Sequence, residues 1–330
     1  MTDGPPLVVL AGATATGKTE LAIRLAESLA ADGRPVAVIS ADSRQVFRGL
    51  DIGTAKASAS ERARVPHHGL DLVDPDEPFS VADFVAHAAG VLGDLGRRGG
   101  VAILVGGTGL YLRAVARGLD TSALPNDDAV RARFEAQLVS DGLAPLVQRL
   151  TKRAPRLATT VDLRNPRRVV RALEIAELQG DAPRPPARGY GGPVGWIGLR
   201  VDPAVHRAQI ARRARAQFEA GLIEEAKALR ERFDPKLPAF SAIGYREAWA
   251  VLDGELTREA AIELDAQRNA AFAKRQATWF RSEPDISWLD ATAGIPEASA
   301  LDAIRHLDEP VAPLSAASRR NRFDGARSGS

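Results

Sequence analysis

A glycine-rich segment between an apolar run and a helical pattern constrains this chain more than any other feature. Residues 12–19 read Gly-Ala-Thr-Ala-Thr-Gly-Lys-Thr, after the apolar run at 7–11. Leucines and alanines at helical spacing follow at 21–29. Glycines at the first and sixth positions allow successive backbone amides to face one centre, and the following helix adds its positive end. The pattern predicts a phosphate-binding loop between a strand and a helix.

The predicted ligand of this loop is a diphosphate or triphosphate. The residues expected to bind it are Gly12, Ala13, Thr14, Ala15, Thr16, Gly17, Lys18 and Thr19. Lys18 supplies a positive charge for the terminal phosphates, and the Thr19 hydroxyl is a suitable ligand for Mg²⁺. The loop by itself does not say which reaction the phosphates take part in.

Two further apolar runs, at 36–40 and 101–105, alternate with helical patterns. Continuous apolar strands separated by helices are typical of a parallel sheet that is covered on both faces. A chain of 330 residues, 45% of them hydrophobic, can bury a substantial core and is long enough for a main domain and a smaller one. We therefore expect an α/β protein with a P-loop NTPase-like core.

From residue 119 the sequence changes to charged amphipathic helices, at 128–142 and 165–180, followed by a glycine- and proline-rich link. A strand-like run at 196–201 and three helical patterns come next, at 203–218, 222–232 and 257–281. We predict a P-loop core whose parallel sheet is covered by helices, plus an all-helical insertion domain. The predicted boundaries are 1–118 and 193–309 for the core, 119–192 for the insertion and 310–330 for a disordered tail.

The second helix of the insertion carries arginines on one side, by their spacing of three and four residues. They are Arg164, Arg167, Arg168 and Arg171. Most charge clusters of this kind are solvated helix surfaces, and a phosphate-binding surface is the alternative. The net charge of only +2 does not exclude the second interpretation, because clustering decides whether a polyanion binds.

The composition also limits the type of site and the compartment. The chain has no cysteine, which excludes disulfides, thiolate zinc sites and thiol catalysis, and which fits a reducing compartment. Neither a signal-peptide pattern nor an apolar stretch of membrane-spanning length is present. We therefore expect a cytoplasmic monomer without a membrane partner.

Three segments are expected to face one pocket, because ligands of such folds lie at the carboxyl ends of the strands. They are 12–19, 42–45 and 106–109. Asp42 is the acidic side chain expected at this mouth, where it could hold Mg²⁺ through water, orient a nucleophile or accept a proton. The third strand ends in Gly-Gly-Thr, without the second carboxylate that holds magnesium in kinases and ATPases. Cations plus one base would suit an enzyme whose leaving group is a diphosphate.

Several blocks together resemble one family, the tRNA dimethylallyltransferases, also called tRNA isopentenyltransferases. The resemblance extends over 7–290 and includes the loop at 12–19. The other blocks, in the family's order, are 40–45, 49–56, 66–71, 79–84, 106–111, 243–247 and 273–281. The chain departs from the family pattern at Asn269 and Ala270, where Thr-Arg is usual, and at Ser241.

The resemblance implies transfer of a dimethylallyl group from dimethylallyl diphosphate to the exocyclic amine of the adenosine just 3′ of a tRNA anticodon, with Mg²⁺. It implies that Asp42 is the base, that Thr19 holds the metal and that Arg213 stabilises the diphosphate. The implied contacts to the tRNA anticodon stem-loop are Asp42, Ser43, Arg44, Gln45, Thr108, Arg131, Arg167, Arg168, Val169, Val170 and Arg171.

On the residues alone, two other functions stay open. One is an ATP-dependent small-molecule or nucleoside kinase, and the other is a non-catalytic RNA-binding NTPase switch. Neither explains why the third strand ends without an acidic residue. His67 and His68 are adjacent and lack a spaced third ligand, so we expect a structural role for them.

Overall fold

The structure is a computed structural model that describes residues 4–31, 33–121, 125–182 and 186–307. Its centre is one sheet of six parallel strands in the order β3-β2-β4-β1-β5-β6. The strands are β1 (Leu7–Gly12), β2 (Val36–Ser40), β3 (His67–His68), β4 (Val101–Val105), β5 (Val194–Arg200) and β6 (Ile286–Asp290). The predicted parallel sheet is confirmed. Because β2, β4 and β1 are neighbours, the loops that follow them meet at one edge.

The part of the chain that is described contains thirteen α-helices. They are α1 (Lys18–Ala30), α2 (Ala59–Arg64), α3 (Val81–Arg97), α4 (Gly109–Ala116), α5 (Asp128–Asp141), α6 (Leu143–Arg153), α7 (Pro155–Thr159), α8 (Pro166–Gln179), α9 (Pro203–Glu219), α10 (Leu222–Arg232), α11 (Tyr245–Leu252), α12 (Arg258–Arg281) and α13 (Glu297–Ile304). The helical patterns in the sequence correspond to α1, α5, α8, α9, α10 and α12, whereas α6, α7, α11 and α13 were not predicted.

The two faces of the sheet bury alternate residues of each strand. On β1, Val8 and Leu10 pack in a cluster with α1 and α13, whereas Leu7 and Val9 pack in a cluster with α3 and α4. All six residues of β1 are buried. Coverage on both faces explains why this strand is a continuous apolar run instead of an alternating pattern.

Helices α5 to α8 enclose a separate apolar cluster. Its buried members include Phe134, Leu146, Leu150 and Leu173, and none of its buried members comes from the sheet. This is the region for which the sequence predicts a helical insertion. The exact boundaries of that insertion, and of the core, stay predictions.

A fourth cluster packs the chain after β2 against the helices that follow β5. Val46 and Leu50 lie in it together with Phe218 of α9, Leu222 of α10 and Tyr245 of α11. The loop that carries Asp42 is therefore connected through its apolar side chains to α9, α10 and α11, which lie far away in sequence.

No helix within the described ranges is long and apolar enough to cross a membrane. The tail predicted at 310–330 lies outside the described residues.

Candidate active site

A cavity of about 550 Å³ opens at the carboxyl ends of β1, β2 and β4. Its wall includes parts of all three segments that the sequence predicts to face one pocket, together with residues from α8, α9 and α12. The lining residues used below are Thr14, Lys18, Thr19, Asp42, Ser43, Arg44, Gln45, Gly106, Gly107, Thr108, Arg167, Arg213, Ser241, Ala242, Ile243, Arg268, Asn269, Phe272, Arg275 and Gln276.

The two glycines of the phosphate-binding loop have backbone conformations that other residues rarely adopt. Gly12 has φ +147°, and a Cβ there would lie 3.0 Å from the carbonyl oxygen of Leu199. Gly17 has φ +87° and caps α1 without a side-chain hydrogen bond. The first amides of α1 are thus not occupied by a capping side chain, as an anion site at a helix N-terminus requires. Inside the loop, the Thr16 hydroxyl donates to the carbonyl oxygen of Ala13 at 2.9 Å.

Thr14 connects the loop to two distant helices. Its amide donates to Gln276 Oε1 of α12 at 2.8 Å, and its carbonyl oxygen accepts from His206 Nε2 of α9 at 2.8 Å. Its hydroxyl accepts from Arg213 Nη1, also at 2.8 Å. Sequence reasoning assigned no role to His206 and none to Gln276 beyond its place in a family block. Both contacts join residues that are more than 190 positions apart, so no local pattern indicates them.

Lys18 is buried, and its Nζ donates to the carbonyl oxygen of Ala13 at 2.5 Å. Burial, and then the charge of nearby Arg213, lower the pKa of Lys18 to about 7, although Asp42 acts in the opposite direction. Burial likewise lowers the pKa of the Arg213 guanidinium. Two cations thus lie close together in a poorly hydrated place. An anion that binds between them would relieve their repulsion.

Asp42 lies directly beyond β2, and its Oδ1 accepts a hydrogen bond from the amide of Arg44 at 2.8 Å. The next residue, Ser43, donates its amide to Thr108 Oγ1 at 3.1 Å, which joins the loops after β2 and β4. Gln45 accepts from the Ser40 hydroxyl and donates to two backbone carbonyl oxygens at 54 and 55. Gln45 therefore holds the segment after Asp42 in place.

Close packing explains the glycines at the end of β4. A Cβ at Gly106 would collide with the carbonyl group of Ala41, and one at Gly107 would collide with Gln276 Nε2. Gln276 Nε2 instead donates to the carbonyl oxygen of Gly107 at 3.0 Å. A carboxylate of the kind that holds magnesium in kinases has no room at Gly106, and at Gly107 it would displace Gln276 from its hydrogen bonds.

Three of the four predicted arginines lie on α8, whereas Arg164 precedes this helix, which begins at Pro166. Arg167 lines the cavity, and Arg164 and Arg168 are exposed. Arg171 Nη1 lies 2.8 Å from Glu174 Oε2, and Arg131 Nε of α5 lies 3.0 Å from the same oxygen. Because the Glu174 carboxylate is fully buried, these two arginines balance its charge, and the ion pair of Arg131 joins α5 to α8.

Two predicted tRNA contacts conflict with the burial of their side chains. Val169 and Val170 are 0% and 2% exposed and belong to the apolar cluster of α5 to α8. A stretch of five residues on a helix passes through every face of that helix, so some of 167–171 must point inward. The side chains of Val169 and Val170 are therefore not accessible to a nucleic acid.

Asp265 and Glu247 form a second group of carboxylates, which sequence reasoning missed. Burial raises the pKa of Asp265 to about 6, and its Oδ1 accepts from Asn269 Nδ2 at 2.7 Å. Glu247 forms an ion pair with Arg268 and caps α11 through the amide of Gly244. Asn269 and Arg268 both line the cavity, so these carboxylates support its wall from behind. The buried polar positions of α12 are the signal that could have revealed them.

Two side chains of the cavity wall are suitable ligands for magnesium. Thr19 and Asp42 both line the cavity, but no group of three or more His, Cys, Asp or Glu side chains that could hold a metal occurs among the described residues. Mg²⁺ commonly keeps several waters and binds through one or two protein ligands plus substrate phosphates. A hydroxyl and one carboxylate beside a phosphate-binding loop fit that type of site.

Known proteins with similar sequences identify the family of this chain. The family model described as IPP transferase matches residues 45–283. The tRNA dimethylallyltransferase of Thermus thermophilus is 44% identical over 288 residues, which cover 85% of this chain and 91% of the relative. That of Halalkalibacterium halodurans is 41% identical over 293 residues, which cover 87% and 91%.

Solved structures agree with these relatives. The tRNA isopentenylpyrophosphate transferase from Bacillus halodurans is 39% identical with a TM-score of 0.65, over 91% of this chain and 94% of that one. A eukaryotic dimethylallyltransferase acting on tRNA is 26% identical with a TM-score of 0.71, over 96% of this chain and 77% of that one. The chain belongs to the tRNA dimethylallyltransferase family.

Proposed function

We propose that the protein transfers a dimethylallyl group from dimethylallyl diphosphate to the exocyclic amine of the adenosine just 3′ of a tRNA anticodon, releasing diphosphate. The observation that carries the proposal is a single cavity in which the phosphate-binding loop, two poorly hydrated cations and Asp42 meet. The family relationship supports it. The kinase alternative is not favoured, because backbone and Gln276 fill the space where a second magnesium-binding carboxylate would be needed.

The donor is activated by stabilising its leaving group. As the carbon–oxygen bond of the allylic diphosphate breaks, negative charge grows on the diphosphate. We assign the stabilisation of that charge to the open amides at the start of α1, to the buried Lys18 and to Arg213. Thr19 would hold Mg²⁺ together with the phosphates of the donor, and the ion would add positive charge beside the leaving group.

The acceptor needs a base, because the lone pair of an adenine exocyclic amine is delocalised into the ring. Asp42 is the carboxylate that lines the cavity, and its hydrogen bond from the Arg44 amide orients it. We assign to Asp42 the proton released when the new carbon–nitrogen bond forms. Ser43 and Thr108, which are hydrogen-bonded to each other beside it, are assigned to the target nucleotide.

The target base must leave the stack of the anticodon loop to reach this cavity, as bases do in other enzymes that modify them. Arg167 and Arg168 of α8 are exposed and can contact the tRNA backbone, and Arg44 lies beside the target site. Arg131 and Arg171, which pair with Glu174, are assigned to holding the helical insertion, proposed at 119–192, in shape. A tRNA substrate implies that the protein works in the cytoplasm.

The test is incubation of the protein with unmodified tRNA, Mg²⁺ and labelled dimethylallyl diphosphate, followed by nucleoside analysis. We expect one labelled, prenylated adenosine and negligible ATP hydrolysis, with inorganic diphosphate competing against the donor. ATP turnover that depends on a small acceptor, without labelled nucleoside, would support the kinase instead. Nucleotide-dependent RNA affinity without any modified product would support the switch.

A further inference from the structure

An exposed aromatic ring lies on the wall of the cavity. Among the described residues, six large apolar side chains are exposed, and Phe272 is the only aromatic one. It is also the only one of the six that lines the cavity. Phenylalanine is usually buried in a protein of this size. A ring that is 36% exposed on the wall of a substrate cavity therefore indicates a contact with a ligand.

The surroundings of Phe272 are strongly basic. The Arg275 guanidinium lies 5.6 Å from the ring centroid, and Arg268 lies one turn earlier on α12. Arg44 and Arg167 line the same cavity. Small or aliphatic residues at 241–243 contribute another part of the wall, which leaves space for a flat ligand. An exposed ring beside the Arg275 guanidinium, in a cavity lined by further arginines, is complementary to an unpaired base with its phosphates.

The ring is held by a fixed element. Gln276, one helical turn after Phe272, donates to the carbonyl oxygen of Gly107 and accepts from the amide of Thr14. The side of α12 that carries Phe272 and Gln276 is therefore hydrogen-bonded to the phosphate-binding loop and to the loop after β4. A base that stacks on Phe272 would therefore have a fixed position relative to the bound diphosphate.

We infer that Phe272 is a stacking platform for the target base after it leaves the anticodon loop. This inference rests on the proposed function. Phe272 orients the base by its face, while Asp42 receives the proton from the exocyclic amine. Stacking does not depend on hydrogen-bonding edges, so this contact adds binding and orientation without reading the identity of the base.

The first test compares four variants. Phe272→Leu keeps an apolar side chain but removes the aromatic face, whereas Phe272→Tyr and Phe272→Trp keep that face. We expect kcat/KM for tRNA to fall roughly 5- to 150-fold in Phe272→Leu, the range of base–aromatic stacking, and to stay close to wild type in the two aromatic variants. Leu264→Ala is the matched control, because Leu264 is an exposed apolar residue of the same helix that does not line the cavity.

The second test uses an anticodon stem-loop with 2-aminopurine at the target position, bound in the presence of inorganic diphosphate. Stacking on Phe272 quenches the fluorophore in wild type, and Phe272→Leu abolishes most of the quenching. Inorganic diphosphate affinity and the thermal midpoint should stay at wild-type values, which separates the absence of stacking from misfolding.

Unchanged kcat/KM and unchanged quenching in Phe272→Leu would overturn the inference. Quenching that depends on Phe272 only when the fluorophore occupies a neighbouring position would overturn the assignment to the target base. A wild-type protein that binds and quenches the stem-loop but forms no prenylated nucleoside would refute the proposed function and leave the stacking contact supported.

Discussion

Binding of the donor diphosphate should be accompanied by proton uptake at Lys18. With a pKa of about 7 in the free protein, Lys18 is about half protonated at pH 7 and about one tenth protonated at pH 8. A bound diphosphate favours the charged ammonium, so binding should take up about 0.9 proton at pH 8 and almost none near pH 5.5. Each pH unit above 7 then weakens binding by about 1.4 kcal/mol, or tenfold.

The sign for protein stability follows from the same pKa. Because the folded-state pKa of Lys18 is lowered, the unfolded chain binds more protons between about pH 7 and the ordinary lysine pKa of about 10.4. The burial of Lys18 therefore reduces the free energy of unfolding, and this reduction is complete below pH 7. It disappears as the pH rises from about 7 to about 10.4. A bound diphosphate removes the reduction in another way, by stabilising the charged form.

Titration calorimetry in buffers of different ionisation enthalpy measures the uptake directly. The experiment uses inorganic diphosphate at pH 5.5, 7 and 8, with Lys18→Met as the control for protons that the ligand itself takes up. The difference between the two proteins should rise from nearly zero to about 0.9 proton. Equal proton uptake by both proteins at pH 8 would show that Lys18 is already charged in the free protein and would refute the electrostatic argument.

Three further predictions concern other parts of the molecule. Asp42→Asn should lower the single-turnover rate by ~10²–10⁴-fold without weakening either substrate, and near-complete rescue by high Mg²⁺ would instead make Asp42 a metal ligand. Replacing Arg167 and Arg168 by alanine should reduce the slope of the logarithm of tRNA affinity against the logarithm of salt concentration by about 0.7 to 0.9 for each phosphate that is no longer neutralised. Donor binding should be unchanged. An unaltered slope would mean that these arginines are only solvated surface residues. Glu174→Gln should lower the free energy of unfolding by about 1 to 3 kcal/mol, because it leaves Arg131 and Arg171 with a neutral partner. Urea titrations measure the change, and an unchanged midpoint would contradict the role of Glu174 in joining the two helices.

The sequence predicts the phosphate-binding loop well because its determinants are local. Gly12 and Gly17 are required by their positive φ values, and α1 begins directly at Lys18. The four inner strands of the sheet are equally predictable, since strands covered on both faces read as apolar runs, whereas the partly exposed edge strands β3 and β6 were not predicted. The continuous block at 167–171 was less reliable as a set of tRNA contacts, because it ignores helical periodicity. Two of its five residues face the apolar cluster, and a third forms an ion pair with Glu174.

The contribution of α12 was harder to predict, but its sequence contains a signal. A helix that packs only on an apolar core has a clean apolar stripe, whereas the buried residues of α12 include Asp265 and Gln276 beside alanines and Phe280. Buried polar side chains need partners, and both find them in other functional segments or on their own helix. Positions 268, 272 and 276 follow one another at one-turn intervals and place a cation, an aromatic ring and an amide on the cavity wall. Polar residues at buried helical positions therefore indicate the side of a helix that faces a polar site. Their presence distinguishes such a helix from one that packs only on the apolar core.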